Sequence, residues 1–146
     1  MKIVIGADHG GFELKEEIKK FVEKLGYDVE DKGTNSLESV DYPIYAKKVA
    51  KEVASDKDKL GILVCGTGLG MSMAANKIKG IRAALAYNES SAKLAKEHNN
   101  ANVLCLGGRE FSTEKAKKIV KLFLETHFSK ADRHKRRVGE IAEIEK

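Results

Sequence analysis

Gly61-Ile62-Leu63-Val64-Cys65-Gly66-Thr67-Gly68-Leu69-Gly70 is the stretch on which the fold turns. Its first half, Gly61–Cys65, is apolar throughout, as a strand buried on both faces should be. Its second half breaks that strand with alternate glycines and opens into a helical segment running to about Ile78. A buried strand feeding a helix is the repeating unit of an α/β sheet, and the alternation extends both ways. Upstream, Lys2–Ala7 reads as a strand, and Phe12–Leu25 repeats apolar residues at helical spacing and stops at Gly26, the favoured residue after a helix end. Tyr27–Asp31 reads as a second strand. After an unpatterned polar stretch, Pro43 sits where a helix can begin, so Ile44–Ala54 is read as the next helix. Downstream come a strand over Arg82–Ala86, a helix over Ser90–Glu97, a strand over Asn102–Leu106, a helix over Thr113–Thr126 and a short last helix over Val138–Lys146. In that last helix Val138, Ile141 and Ile144 share one face.

Five strand–helix units in order predict one α/β domain over residues 1–146. The expected architecture is a Rossmann-like three-layer αβα sandwich on a five-stranded parallel sheet, with right-handed crossovers and a basic, helical C-terminal tail over about 129–146. The length of 146 residues suits one core and leaves no room for a second. With 42% hydrophobic and 34% charged residues, the composition excludes both intrinsic disorder and a miniprotein held by disulfides or metal. Aromatic residues make up 6% and Trp is absent, so aliphatic side chains must fill the core.

The formal charge of +5 is concentrated: Lys130–Arg137 holds five basic residues against Asp132, and the rest of the chain is nearly neutral. That distribution argues for a local anion site or a solvated tail, and against a general nucleic-acid surface. The two cysteines lie forty positions apart in apolar runs, which is neither a disulfide framework nor a zinc motif. Nothing resembles a signal peptide or a membrane span, so the expectation is a reduced, cytoplasmic protein that binds neither membrane nor nucleic acid.

In parallel sheets of this kind ligands sit beyond the carboxyl ends of the strands, where the winding reverses. The rule selects Ala7–Gly11, Cys65–Gly70 and Gly107–Arg109. In Cys65–Gly70 the glycines allow close backbone approach, and free N–H groups at the helix start form an anion cradle. Met71 stands where a dinucleotide fingerprint needs glycine, and no Gly-Lys-Ser/Thr completes a P-loop. A tight strand-to-helix turn is the plain alternative. Cys65, at a strand end just before a helix start, has the setting in which thiols ionise readily, whereas Cys105 in mid-strand reads as packing. Asp8 and His9 place an acid and an imidazole at the same sheet edge, although Asp8 also suits a helix cap. His98-Asn99-Asn100 reads equally as a site element and as a polar turn closing a helix. Arg133 and Arg137, spaced i, i+4, can fork onto a phosphate if their segment is helical.

Gly6–Lys15 (GADHGGFELK), Asp31–Thr34 (DKGT), Asp41–Pro43 (DYP), Cys65–Lys77 (CGTGLGMSMAANK), His98–Leu104 (HNNANVL), Gly107–Arg109 (GGR) and Arg133–Arg137 (RHKRR) together resemble ribose-5-phosphate isomerase of the B type. The match runs in order along nearly the whole chain. Its wider family includes allose-6-phosphate and galactose-6-phosphate isomerases. The resemblance implies opening of the ribose 5-phosphate ring and proton transfer through a 1,2-enediolate to ribulose 5-phosphate, a pentose phosphate pathway step, with no metal or organic cofactor. It implies Cys65 as the base at C2, Thr67 assisting proton movement between the oxygens, and His98 as the ring-opening acid or base. The N–H groups of Gly66, Thr67, Gly68, Leu69 and Gly70 would stabilise the enediolate. Asp8 and Asn99 would orient hydroxyls, His9, Arg133 and Arg137 would bind phosphate, and Arg109 would touch the ligand in an undefined role.

Topology adds an expectation about assembly. His98 and Asn99 precede a strand and so lie at the amino-terminal edge of the sheet, while Cys65 lies at the carboxyl edge. A five-residue strand separates these edges by roughly 16 Å. A two-fold homodimer, or a tetramer built on it, would bring His98 of one chain to Cys65 of the other in composite sites. Two other readings are carried alongside: isomerisation of a six-carbon sugar phosphate, and a non-catalytic nucleotide-binding Rossmann module with Glu89 near the position of a ribose-binding acid. A nucleic-acid-binding tail is a third and weaker one.

Overall fold

Alternation along each central strand sorts side chains onto two faces, and helices cover both. The computed structural model describes all 146 residues. In chain order the elements are β1 (Lys2–Ala7), α1 (Phe12–Lys24), β2 (Asp28–Asp31), α2 (Tyr42–Ala54), β3 (Lys59–Cys65), α3 (Leu69–Ala75), β4 (Ala83–Leu85), α4 (Glu89–Glu97), β5 (Val103–Gly107), α5 (Thr113–Glu125) and α6 (Asp132–Ile144). All strand pairings are parallel, in the order β2-β1-β3-β5-β4. Ile3, Ile5, Ile62, Val64, Leu104 and Leu106 turn to the face covered by α1, α4 and α5. Val4, Leu63, Cys65, Val103 and Cys105 turn to the face covered by α2 and α3. At roughly 1.5–3 kcal/mol for each large aliphatic side chain closed to water, these two layers supply the main drive to fold.

The direction of travel and the face of each helix change together. Moves from β1 to β2 and from β4 to β5 run one way along the sheet, with α1 and α4 on one face. Moves from β2 to β3 and from β3 to β4 run the other way, with α2 and α3 on the opposite face. All four crossovers therefore share one hand, as a parallel sheet requires. The winding reverses between β1 and β3, and the crevice that matters lies beyond their carboxyl ends.

Helix ends follow local chemistry. Gly26, at φ +99°, ends α1 with its own N–H on the Glu23 carbonyl and the Tyr27 N–H on that of Val22. Asn88 and Ser91 form a reciprocal capping box on α4, and Ser112 caps α5. Pro43 occupies the first turn of α2, which begins at Tyr42, two residues earlier than the periodicity suggests.

The sequence reading starts the last helix at Val138, but α6 begins at Asp132, so the whole basic run is helical. Of its first turns only His134 is buried, and no apolar stripe announces them. The apolar face of the second half is left uncovered, with Ile141 40% and Ile144 85% exposed.

Candidate active site

At the carboxyl edge the loops after β1, β3 and β5 interlock through glycines. Gly11 lies flat against the Val64 carbonyl, and a Cβ on Gly108 would fall 2.7 Å from the Gly10 carbonyl oxygen. Gly68, at φ +83°, leaves no room for a side chain, since a Cβ would sit 2.5 Å from Leu85 Cδ1. Cross-loop hydrogen bonds complete the lock: Asp8 N–H to the Val64 carbonyl (3.2 Å), Gly108 N–H to that of Cys65 (2.7 Å) and Arg109 N–H to that of Gly66 (3.1 Å).

This frame gathers most of the residues read as a site. Cys65, 4% exposed, points its sulfur at the loop it starts, and Gly68 N–H donates to Sγ at 3.1 Å. Leu69 N–H is taken by Thr67 Oγ1 (3.2 Å), while the N–H groups of Gly66, Thr67 and Gly70 find no acceptor within the chain. Three backbone donors of the loop that Cys65 opens are thus left unengaged by the chain, as a cradle for a developing oxyanion requires. Arg109 lays its guanidinium over Gly66, where a Cβ would meet Nη1 at 3.0 Å, and reaches Gly10 as well. Asp8 is buried and accepts Gly11 N–H at Oδ1 (3.1 Å), so it braces the turn into α1 without being its N-cap, which is Gly11. His9 accepts Val40 N–H at Nδ1 (3.1 Å). A neutral ring so engaged carries its proton on Nε2, free to donate.

Cys105 belongs to the core. It is fully buried, and burial first, then the Coulombic influence of Cys65, pushes its thiol far above the ordinary range. Glu89, the acid that a nucleotide-binding module would require, pairs with Lys115 at 3.3 Å.

The remaining predicted residues form a second group at the amino-terminal edge. His98 is the residue that closes α4, and its ring lies 4.3 Å, centroid to centroid, from that of His134 on α6. Ser129 Oγ holds His134 Nδ1 at 2.7 Å, and Ser129 N–H bonds the Glu97 carbonyl (3.0 Å), tying the start of α6 to the end of α4. Burial first, then the positive surroundings of His98, Arg133 and Arg137, hold the His134 imidazole below its usual pKa. Asn99 and Ile141 line an apolar groove of about 470 Å³ along the outer edge of β4, with Leu85, Tyr87 and Leu94. Because Cys65 pairs with Gly107 and β5 begins at Val103, the His98 group and the thiol of its own chain stand at opposite edges of the sheet, separated by about the length of a five-residue strand, roughly 16 Å.

Sequence reading missed two features. Tyr42, in the Asp41–Pro43 motif, presses its ring on Gly70, where a Cβ would come within 2.5 Å of it. The motif signalled it, but no spacing rule ties it to the glycine loop. His134, read only as part of a basic run, proves to be the neighbour of His98.

The chain matches the sequence model of the ribose/galactose isomerase family over residues 3–141. It belongs to that family. Ribose-5-phosphate isomerase B of Escherichia coli is 47% identical over 144 residues, covering 99% of this chain and 96% of the relative. A ribose-5-phosphate isomerase B structure from Clostridium thermocellum superposes with a TM-score of 0.96 at 52% identity, covering 99% and 97% of the two chains. One from Mycoplasma genitalium, solved with bound ribulose-5-phosphate, superposes at 0.95 with 44% identity, covering 99% and 95%. These family members share the parallel αβα sandwich read from the sequence. No helix here is long and apolar enough to cross a membrane.

Proposed function

We propose that the chain interconverts D-ribose 5-phosphate and D-ribulose 5-phosphate. The observation that carries this reading is the Cys65 thiol set beside the unengaged N–H groups of Gly66, Thr67 and Gly70. A base next to an oxyanion cradle is the minimum that proton abstraction beside a carbonyl requires. The ribulose-5-phosphate held by the Mycoplasma genitalium relative gives the substrate class.

In the proposed reaction His98 exchanges the proton that opens the furanose ring. The Cys65 thiolate then removes the C2 proton, and the electron pair moves into the carbonyl to form an enediolate. The loop N–H groups stabilise the developing charge, each worth about 3–4 kcal/mol in comparable sites. Thr67 assists transfer of a proton between the two oxygens, and Cys65 returns its proton to C1. Asp8 and Asn99 orient hydroxyls. His9 Nε2–H and Arg109 lie on the Cys65 side, and Arg133 and Arg137 on the His98 side, to take the phosphate.

One substrate cannot reach both groups within one chain, so the catalytic unit is a two-fold dimer in which His98 of the partner subunit completes the crevice of Cys65. The open groove along β4 and the bare apolar face of α6 support this assembly, because monomers seldom leave such surfaces uncovered. Since His98, His134, Arg133 and Arg137 form one cluster, the two arginines cross to the partner's site together with His98. A coupled kinetic panel of ribose 5-phosphate, allose 6-phosphate and galactose 6-phosphate tests the substrate assignment. A kcat/KM for either hexose phosphate above that for ribose 5-phosphate would overturn it.

A further inference from the structure

Lys15 is the least expected side chain in the core. It is closed to solvent on the inward face of α1, where lysine almost never sits unless paired. Both oxygens of Asp31 take its ammonium (2.9 and 2.7 Å), Glu16 approaches at 3.1 Å, and the Phe12 ring centroid lies at 5.5 Å. Asp31 ends β2 and also holds Lys19 (3.3 Å) and the Gly33 N–H (2.9 Å). Burial alone would raise the Asp31 pKa, but Lys15, Gly33 and Lys19 together keep it below the ordinary carboxylate value.

Gly33 carries the arrangement outward. Its carbonyl accepts Ala7 N–H (2.6 Å), and Thr34 N–H donates to the Ala7 carbonyl (2.7 Å). The residue immediately before Asp8 is therefore gripped on both sides. From Thr34 the chain runs on to Val40, whose N–H holds His9 Nδ1. A buried ion pair returns little stability after its desolvation cost, and apolar replacements are often tolerated. A positional role explains its presence better than a stabilising one.

We infer that Asp31, whose buried charge Lys15 balances, is a positioning residue for the phosphate side of the site: by accepting Gly33 N–H it anchors segment 32–41, which in turn orients the His9 ring and keeps its proton on Nε2. This rests on the reading of His9 as a phosphate ligand, and the experiment separates the two. Asp31→Ala removes the acceptor for Gly33, whereas Lys15→Met/Asp31→Asn keeps that acceptor and strands no charge. Ribose 5-phosphate kinetics, melting temperature and the ¹⁵N signature of the His9 imidazole are measured for each. Asp31→Ala should raise KM about tenfold, the equivalent of one weakened charge-assisted hydrogen bond, with a smaller change in kcat. It should also abolish the single Nε2–H tautomer of His9, and the double variant should restore both properties. If Asp31→Ala does not fold, Lys15→Met/Asp31→Leu, which also removes the pair without a stranded charge, takes its place. A folded variant lacking the Gly33 acceptor that melts earlier but keeps wild-type KM and the His9 signature would overturn the inference. If His9→Asn leaves KM unchanged while Asp31→Ala still scrambles the His9 tautomer, the positioning stands and only the phosphate role falls.

Discussion

A composite site makes a quantitative prediction about mixed dimers. Cys65→Ala and His98→Ala each remove one group on which the proposed reaction depends, so each homodimer should be inactive. Unfolded together in equal amounts and refolded, they should pair at random, giving about half heterodimers by simple two-fold assembly. In every heterodimer one crevice combines the intact Cys65 of one chain with the intact His98 of the other, and the second crevice lacks both. Half the dimers with half their sites restores about a quarter of wild-type activity. The figure depends on the separation within one chain: the register of Cys65 on Gly107, with β5 beginning at Val103, keeps His98 roughly 16 Å from its own thiol. Clustering of Arg133 and Arg137 with His98 adds a control. Cys65→Ala should complement Arg137→Ala, but His98→Ala should not, because those two lesions fall in the same half-site and leave each crevice with one defect. Activity is read by a coupled assay at substrate below KM, and heterodimer formation by native mass spectrometry of differently tagged chains. No recovery despite proven heterodimers would refute the reasoning, as would recovery from the His98→Ala and Arg137→Ala mixture.

Other expectations follow from single positions. Cys65→Ala should lower kcat by orders of magnitude with little change in KM, because a base acts in the transition state, while Cys105→Ala should keep kcat and cost about 1–2 kcal/mol in urea unfolding; a near-normal kcat for the Cys65 variant would remove the proposed base. Arg137→Ala should chiefly raise KM, since the phosphate does not react and its grip is largely uniform binding, and inhibition by inorganic phosphate should weaken in parallel. His134 should titrate below a free histidine in NMR spectra, and His98→Asn should move it back up by removing a neighbouring positive charge. The sign for stability follows: with its folded pKa depressed, His134 contributes fully above the unfolded histidine pKa of about 6.5, and the contribution is lost as pH falls from there through the lower folded pKa. A flat denaturant midpoint from pH 7.5 to 5.5 in the wild type, unchanged in His134→Gln, would contradict it.

The parallel sheet was legible because its signal is dense. Gly61–Cys65 has no polar residue to suggest an exposed face, and strands with intervening helices admit few arrangements once crossovers share one hand. From there the switch-point rule led directly to Asp8, His9 and the Cys65–Gly70 loop. Contacts made by backbone across long separations were not legible. Val40 N–H on His9 spans 31 residues and uses an atom that every residue type carries, so no side-chain pattern encodes it. Tyr42 against Gly70 and His98 against His134 are meetings of elements whose relative placement only the packed fold decides.

The helix at the chain's end shows where the two kinds of information meet. Read by apolar periodicity it begins at Val138, because the preceding charges give no stripe facing this chain's own core. The stripe that does exist, Val138, Ile141 and Ile144, is only partly covered by its own subunit: Ile141 lines the groove along β4 but is 40% exposed, and Ile144 is 85% exposed. A helix kept amphipathic without a core to cover implies a surface supplied from outside the chain. The same helix carries Arg133 and Arg137 and shelters His98 through His134. On the proposed reading, truncation after Ser129 should remove the proposed dimer and the proposed Arg133–Arg137 phosphate contacts in one step while leaving the five-stranded sheet folded, since α6 contributes none of the residues buried between sheet and helices. Sedimentation showing a folded, inactive monomer is the expected outcome. A truncated chain that still dimerises and keeps wild-type KM would separate assembly and phosphate binding from α6 altogether.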